Sequence, residues 1–349
     1  MRPTSGLVAN LVVYSAFARA GDVMLVKPIV KGGHVSMGPE RVRGTAGFVS
    51  RLDVQYMPFD DEELQIDVDA ARVKIREMAR ANKPPRIAMF GGSLILFPEP
   101  LKELAPALEE VGALVCYDAA HVAGLVAAGL FQDPLREGAR VMTMSTHKTI
   151  PGPQGGAIVS DERNGEVIKA TTFPATVSNH HLHHVAGKAL AFAEMLAFGR
   201  EYCLRVVENA RALAQALHEE GLDVVGERRG FTQSHQVAVD VSRYCLGGDA
   251  ERRLERANII VNRQLLYGDI QKGLHYRNPS GIRLGTQEVT RLGMGKGEMK
   301  EIARLIARVV KGEEPERVRE EVRELRRPFQ RVLYCFESQT EAYAYIRMR

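Results

Sequence analysis

The strongest chemical signal in this chain is a pair of ionisable residues, each at the end of an apolar run. The first run, Ala113 to Tyr117, closes on Asp118, with His121 three residues further on. The second, Arg140 to Met144, closes on Ser145-Thr146-His147-Lys148, and a Gly/Pro turn follows. Both runs read as buried strands, and in an α/β sheet ligands sit beyond the carboxyl ends of parallel strands. A lysine and a carboxylate on neighbouring strand ends are what pyridoxal phosphate (PLP) chemistry requires. The amine forms a Schiff base with the aldehyde, and the carboxylate keeps the pyridine nitrogen protonated so that the ring accepts electrons. The plainer alternative is two ordinary buried strands and a surface lysine.

Other residues with chemical potential lie at loop positions. Thr4-Ser5-Gly6 leads into a helical pattern that contains Asn10, and helix N-termini bind phosphate through backbone N–H groups. A plain N-cap at Thr4 or Ser5 explains the same residues. Lys31-Gly32-Gly33-His34 follows a strand, and Ser93 closes another after Gly91-Gly92. Arg283 stands in Pro-Ser-Gly-Ile-Arg-Leu-Gly-Thr; a guanidinium fork matches a carboxylate in two parallel hydrogen bonds, whether on a substrate or in a structural ion pair. His180, His181, His183 and His184 raise the question of a metal, but no Asp or Glu accompanies them and H-E-x-x-H is absent, so no metal is expected.

The elements that must position these groups alternate. Helical patterns run over 8–19, 68–81 and 100–111; strand patterns run over 23–26, 86–90 and 114–117. Such alternation implies a mostly parallel sheet with helices on both faces. A long helical pattern, 184–217, leads to short strands at 222–225, 236–241, 259–261 and 281–284 and a helix over 298–310. From this we expect a large domain over 1–190, a small domain over 191–312, and a charged helical extension over 313–349 whose last dozen residues form a loosely held tail. With 349 residues the chain can bury a large core. A net charge of +4 with interspersed signs gives no reason to expect nucleic acid, and no apolar run is long enough for a membrane span. Met1 to Asn10 lacks the pattern of a signal peptide. Four scattered cysteines without C-x-x-C spacing fit reduced thiols in a cytoplasm.

The residues quoted so far closely resemble the serine hydroxymethyltransferase family. D-A-A-H-V-A-G-L-V-A-A-G, from Asp118, resembles its D-x-A-H-x-x-G-L-x-A-x-G, and S-T-H-K-T-I-P-G-P-Q-G-G resembles its T-T-H-K-T-L-x-G-P-R-G-G, in which the lysine carries PLP. The resemblance implies a PLP-dependent fold-type-I protein with a seven-stranded-type sheet and a smaller C-terminal α/β domain. It implies serine/glycine hydroxymethyl transfer, or a related retro-aldol Cα–Cβ cleavage of a β-hydroxy amino acid, by a homodimer with a tetrahydropterin co-substrate. It places Lys148 in the Schiff base, Asp118 at the pyridine nitrogen and His121 at the ring phenol oxygen, with Thr146 and His147 supporting the site. Ser5 and Gly6 fall on the phosphate loop, His34 on the ring face, Ser93 beside the ring, and Arg283 on the substrate carboxylate.

Departures from the pattern shape further expectations. Leu7 stands where the family has a second phosphate-binding serine, Gln154 replaces the arginine of G-P-R-G-G, and Met37 the last histidine of G-G-H-x-x-H-G. Ser178 and Asn179 replace two glycines that reach a partner subunit's phosphate. The pterin-side segments Gln264 to Asp269 and His275 to Pro279 do not match. The family's N-terminal section, with a proton-handling glutamate, precedes the part seen here. Reduced activity and loose PLP binding are therefore expected. The rivals are a pterin-independent PLP aldolase or racemase, and a weak or silent homologue whose missing section comes from a partner chain.

Overall fold

A computed structural model describes residues 1–336. The tail expected over the last dozen residues lies outside the described residues. The described chain divides into two compact units, Met1–Met195 and a second that begins at Leu196.

The first unit is built on a six-stranded sheet, one strand fewer than the seven-stranded type expected. Its strands are β1 (Val23–Val26), β2 (Asp53–Tyr56), β5 (Ile87–Gly91), β6 (Leu114–Asp118), β7 (Val141–His147) and β8 (Pro151–Ser160), while β3 (Phe59–Asp60) and β4 (Gln65–Ile66) form a separate hairpin. The order is β2-β1-β5-β6-β7-β8. Every neighbouring pair is parallel except β7 with β8. The Gly/Pro segment after Lys148 is thus not only a turn: Pro151 to Ser160 extend and pair back along β7. Glycine and proline at a strand's start and edge hid that pairing from a pattern reading.

β1 and β5 are apolar along their length, and β7 is buried as far as Thr146, because parallel strands are covered on both faces. Val12, Met24, Val26, Ile87, Met89, Cys116 and Val141 form one buried cluster. Each such side chain stabilises the fold by about 1.5–3 kcal/mol relative to exposure. The connecting helices are α1 (Gly6–Phe17), α2 (Val68–Arg80), α3 (Leu101–Glu110), α4 (Ala123–Ala127) and α5 (Glu162–Ala170). α1 begins two residues before the expected start because Ser5 caps it: its hydroxyl accepts the Val8 N–H at 3.1 Å.

Helix α6 (Leu182–Glu219) runs from the first unit into the second. The second unit has a four-stranded antiparallel sheet in the order β11-β12-β10-β9, from β9 (Asp223–Val224), β10 (Gln236–Asp240), β11 (Asn262–Gln264) and β12 (Gly281–Gly285). The strand expected over 259–261 lies one step later, at β11. Ile259 N–H closes the end of α7 (Gly247–Arg256) on Leu254 O, and Asn258 adopts a left-handed φ of 61°, so the chain is still leaving the helix there. Helices α8 (Gln287–Arg291), α9 (Lys296–Val310) and α10 (Pro315–Arg326) complete the unit. α10 lies in the charged stretch, yet it contributes the fully buried Val318 to the second core.

Candidate active site

Four carboxyl-terminal strand ends and one helix start meet in the first unit. Asp118 ends β6, in register with Gly91 of β5 and Thr143 of β7. Gly91 has φ +82°, and a Cβ there would lie 2.1 Å from Asp118 O, so only glycine fits beside the carboxylate's backbone. Asp118 is 2% exposed. Its Oδ1 accepts the Ala120 N–H at 2.9 Å and its Oδ2 accepts from Asn10 Nδ2 at 2.8 Å.

Lys148 follows β7 directly. The register of β7 against β8 shifts between Ser145 and His147, a bulge of the kind that re-aims side chains near active sites. The half-buried Lys148 Nζ donates to Ser145 Oγ at 2.6 Å, and Ser145 Oγ donates to Ala120 O at 2.8 Å. One peptide unit away, the Ala120 N–H holds Asp118. The amine and the carboxylate are therefore joined through Ser145 and the Ala120 backbone. Thr149 Oγ1 donates to His121 O at 2.7 Å and so ties the segment after Lys148 to the segment after Asp118.

Two more loops close on this point. The Ser93 and Leu94 N–H groups both donate to Gly32 O, which stitches the loop after β5 to the loop after β1. The latter carries His34. His34 Nδ1 accepts the Ser36 N–H at 3.1 Å and lies 2.7 Å from Ser36 Oγ. A backbone N–H can only donate, so Nδ1 is unprotonated and the ring proton is on Nε2. Beneath the loops Lys27 and Glu99 form a buried ion pair, and Lys27 Nζ also donates to Leu94 O at 3.3 Å.

The remaining residues singled out in the sequence are distributed as follows. Ser5 caps α1, with its side-chain oxygen accepting and its proton left to donate; Gly6 is buried in the first turn, where N–H groups lack intrahelical partners. Thr146 is fully buried, and its hydroxyl donates to Pro153 O at 2.9 Å, so that group secures β8. His147 Nδ1 faces the Gly155 N–H at a long 3.5 Å; burial, then the adjacent Lys148 charge, lower its pKa. Arg283 lies on β12 of the second unit, half-buried, with Nη2 donating to Asn262 Oδ1 at 3.3 Å; burial lowers its pKa, though a guanidinium stays charged. The rings of His181, His183 and His184 stand 4.4–5.9 Å apart, and among the described residues no group of three or more His, Cys, Asp or Glu is arranged to hold a metal.

Sequence reasoning missed how central Asn10, Ser36, Thr143 and Ser145 are. Ser145 was visible as the first residue of S-T-H-K. Ser36 and Thr143 carried no local signal, because their partners are distant in sequence. Tyr14, one turn after Asn10, is also fully buried; burial first, and then the Asp118 charge, push its phenol well above the usual range, so it stays protonated.

The donor set suits a pyridine cofactor. Asp118 is buried, and the partners that hold it are two N–H donors, Ala120 and Asn10; a buried carboxylate is costly unless paired. A protonated ring nitrogen is a partner that suits this carboxylate. The half-buried amine of Lys148 suits an aldehyde, and the start of α1 suits a phosphate.

Comparison with known proteins agrees. The family model described as "Serine hydroxymethyltransferase" matches residues 1–306. The chain is 54% identical to serine hydroxymethyltransferase of Cenarchaeum symbiosum over 350 residues, covering 100% of this chain and 79% of the relative. It is 56% identical to that of Korarchaeum cryptofilum over 353 residues, covering 99% and 80%. Among solved structures, L-threonine transaldolase from Pseudomonas fluorescens is similar with a TM-score of 0.83 and 32% identity, covering 96% of this chain and 74% of that one.

Proposed function

This chain belongs to the serine hydroxymethyltransferase family, and we propose that the strand ends around Asp118 and Lys148 are its cofactor site. Its fold is that of the PLP-dependent fold-type-I enzymes, and its chemistry is the Cα–Cβ cleavage of a β-hydroxy amino acid such as serine. PLP, when bound, supplies an aldehyde for an amine and a ring that accepts the electron pair released at Cα.

The chain's own residues do the rest. Lys148 is the amine that holds the aldehyde, oriented by Ser145. Asp118 holds a proton at the ring nitrogen, and two N–H donors orient its carboxylate. His34, with Nδ1 engaged by Ser36, would hold the ring from its face. Ser5 and Gly6 bind the phosphate at the start of α1. Ser93 borders the ring, and His121 adjusts its phenol oxygen. Arg283 clamps the amino-acid carboxylate. His147 is biased towards its neutral form by burial and by Lys148, so it can hold or move a proton beside the amine.

The buried Asp118 at its strand end, joined to Lys148 through Ser145 and the Ala120 backbone, carries this reading. The same reading takes a tetrahydropterin as one-carbon acceptor and a homodimer as the working form. Four free cysteines support a cytoplasmic setting, and no helix among the described residues is long and apolar enough to cross a membrane.

The test is serine cleavage by the purified chain, with and without a tetrahydropterin, beside Lys148→Ala. Cleavage that needs Lys148 and is accelerated by the pterin is expected. Cleavage indifferent to the pterin points to aldol chemistry alone, and activity that survives Lys148→Ala refutes the site.

A further inference from the structure

Asn10 is 1% exposed and hydrogen-bonds three side chains from three parts of the chain, using both amide protons and one lone pair of its oxygen. Nδ2 donates to Asp118 Oδ2 at 2.8 Å and to Ser36 Oγ at 2.9 Å, and Oδ1 accepts from Thr143 Oγ1 at 2.6 Å. A carboxylate accepts and cannot donate, so the amide can face Asp118 only with its nitrogen. Thr143, in register with Asp118 on the next strand, and Ser36, beside His34, lock that orientation. Asn10 thus donates to Asp118 from a side chain, and the backbone of Ala120 donates to its other oxygen.

We propose that Asn10 is the positioning residue for Asp118: its locked amide fixes the carboxylate's rotation so that it can face a cationic ring nitrogen. The inference rests on the cofactor site described above. The effect is one of hydrogen-bond polarity, not of shape. Asn10→Asp keeps the shape but sets two carboxylates against each other at a buried contact, which forces a proton onto the pair. Asn10→Ala removes the donor and leaves a small cavity, without adding a repulsive charge.

The experiment uses the full chain with Asn10→Asp, Asn10→Ala and the exchange Asn10→Asp with Asp118→Asn. Thermal unfolding and retention of PLP on dialysis are the two readouts. Asn10→Asp should weaken PLP retention by ~10- to 100-fold, the worth of a hydrogen bond to a charged group, and should fall below Asn10→Ala in both readouts. The exchange variant restores one donor and one acceptor, so it should regain the melting temperature lost by Asn10→Asp while PLP retention stays low. If Asn10→Asp tolerates the change better than Asn10→Ala, Asn10 acts by shape and the proposal is wrong. If Asn10→Asp does not fold, the exchange variant decides: recovery supports the pairing, and no recovery overturns it. Failure of the unmodified chain to take up PLP would count against the cofactor site, while the melting comparison would still decide the pairing.

Discussion

Lys27→Met should destabilise the first unit strongly and loosen the cofactor site together with it. Lys27 and Glu99 are 2% and 8% exposed and form an ion pair, and Lys27 Nζ donates to Leu94 O as well. Glu99 Oε2 is buried without a hydrogen-bond partner among the described residues. Met keeps the length of the stem and leaves the Glu99 charge buried and alone. Removing one partner of a buried pair costs about 3–5 kcal/mol. At roughly 2–4 °C per kcal/mol for a unit of this size, the melting temperature should drop by about 6–20 °C. The loss should change little with added salt, because buried pairs are weakly screened. Lys27→Met with Glu99→Leu should recover most of it, since replacing both partners by apolar groups is often neutral. Because the pair sits under the stitched loops that carry His34 and Ser93, the single variant should also release PLP faster. The assay is calorimetric unfolding of the three proteins at one pH and two salt concentrations. A single-variant loss under about 1 kcal/mol, or a double variant that is additively worse, would refute the reasoning.

Three further outcomes follow from the site. Asp118→Asn should fold and lose serine cleavage by two or more orders of magnitude, because an amide does not hold the proton at the ring nitrogen; stopped assays on the loaded variant check this. Arg283→Lys should raise the KM for the amino acid by about 10- to 100-fold with PLP content unchanged, as a two-pronged contact becomes a single point charge; an unchanged KM would make Arg283 structural. His147 has a folded pKa below its unfolded value, so the unfolded chain binds more protons as acidity rises. Its contribution is fully present above the ordinary histidine value near pH 6.5 and is lost as pH falls through the lowered one; melting curves of His147→Gln should show a flatter acid limb than those of the parent chain.

The parallel strands and the groups at their ends were legible because burial on both faces leaves unbroken apolar runs, and an acid or lysine at the end of such a run stands out. Strand β8 was not legible: its glycines and prolines look like a turn until β7 is there to pair with. β11 was misplaced because the apolar residues 259–261 finish the end of α7 instead of starting a strand. The wiring was the least legible part. Asn10 is 108 residues from Asp118 and 26 from Ser36, and Thr143 is 133 from Asn10, so no local pattern joins them. A phosphate-loop reading of Ser5 and Gly6 and a simple N-cap are not exclusive, because a capping oxygen accepts from Val8 and still has its proton to give.

The central claim is that Lys148 is the amine that takes PLP. Adding PLP to the purified chain, reducing with borohydride and mapping the peptides by mass tests it directly. A visible absorption band that borohydride abolishes is expected, with the cofactor's mass fixed on Lys148. A label on Lys188, Lys27 or any other lysine, or no covalent label at all, would contradict it.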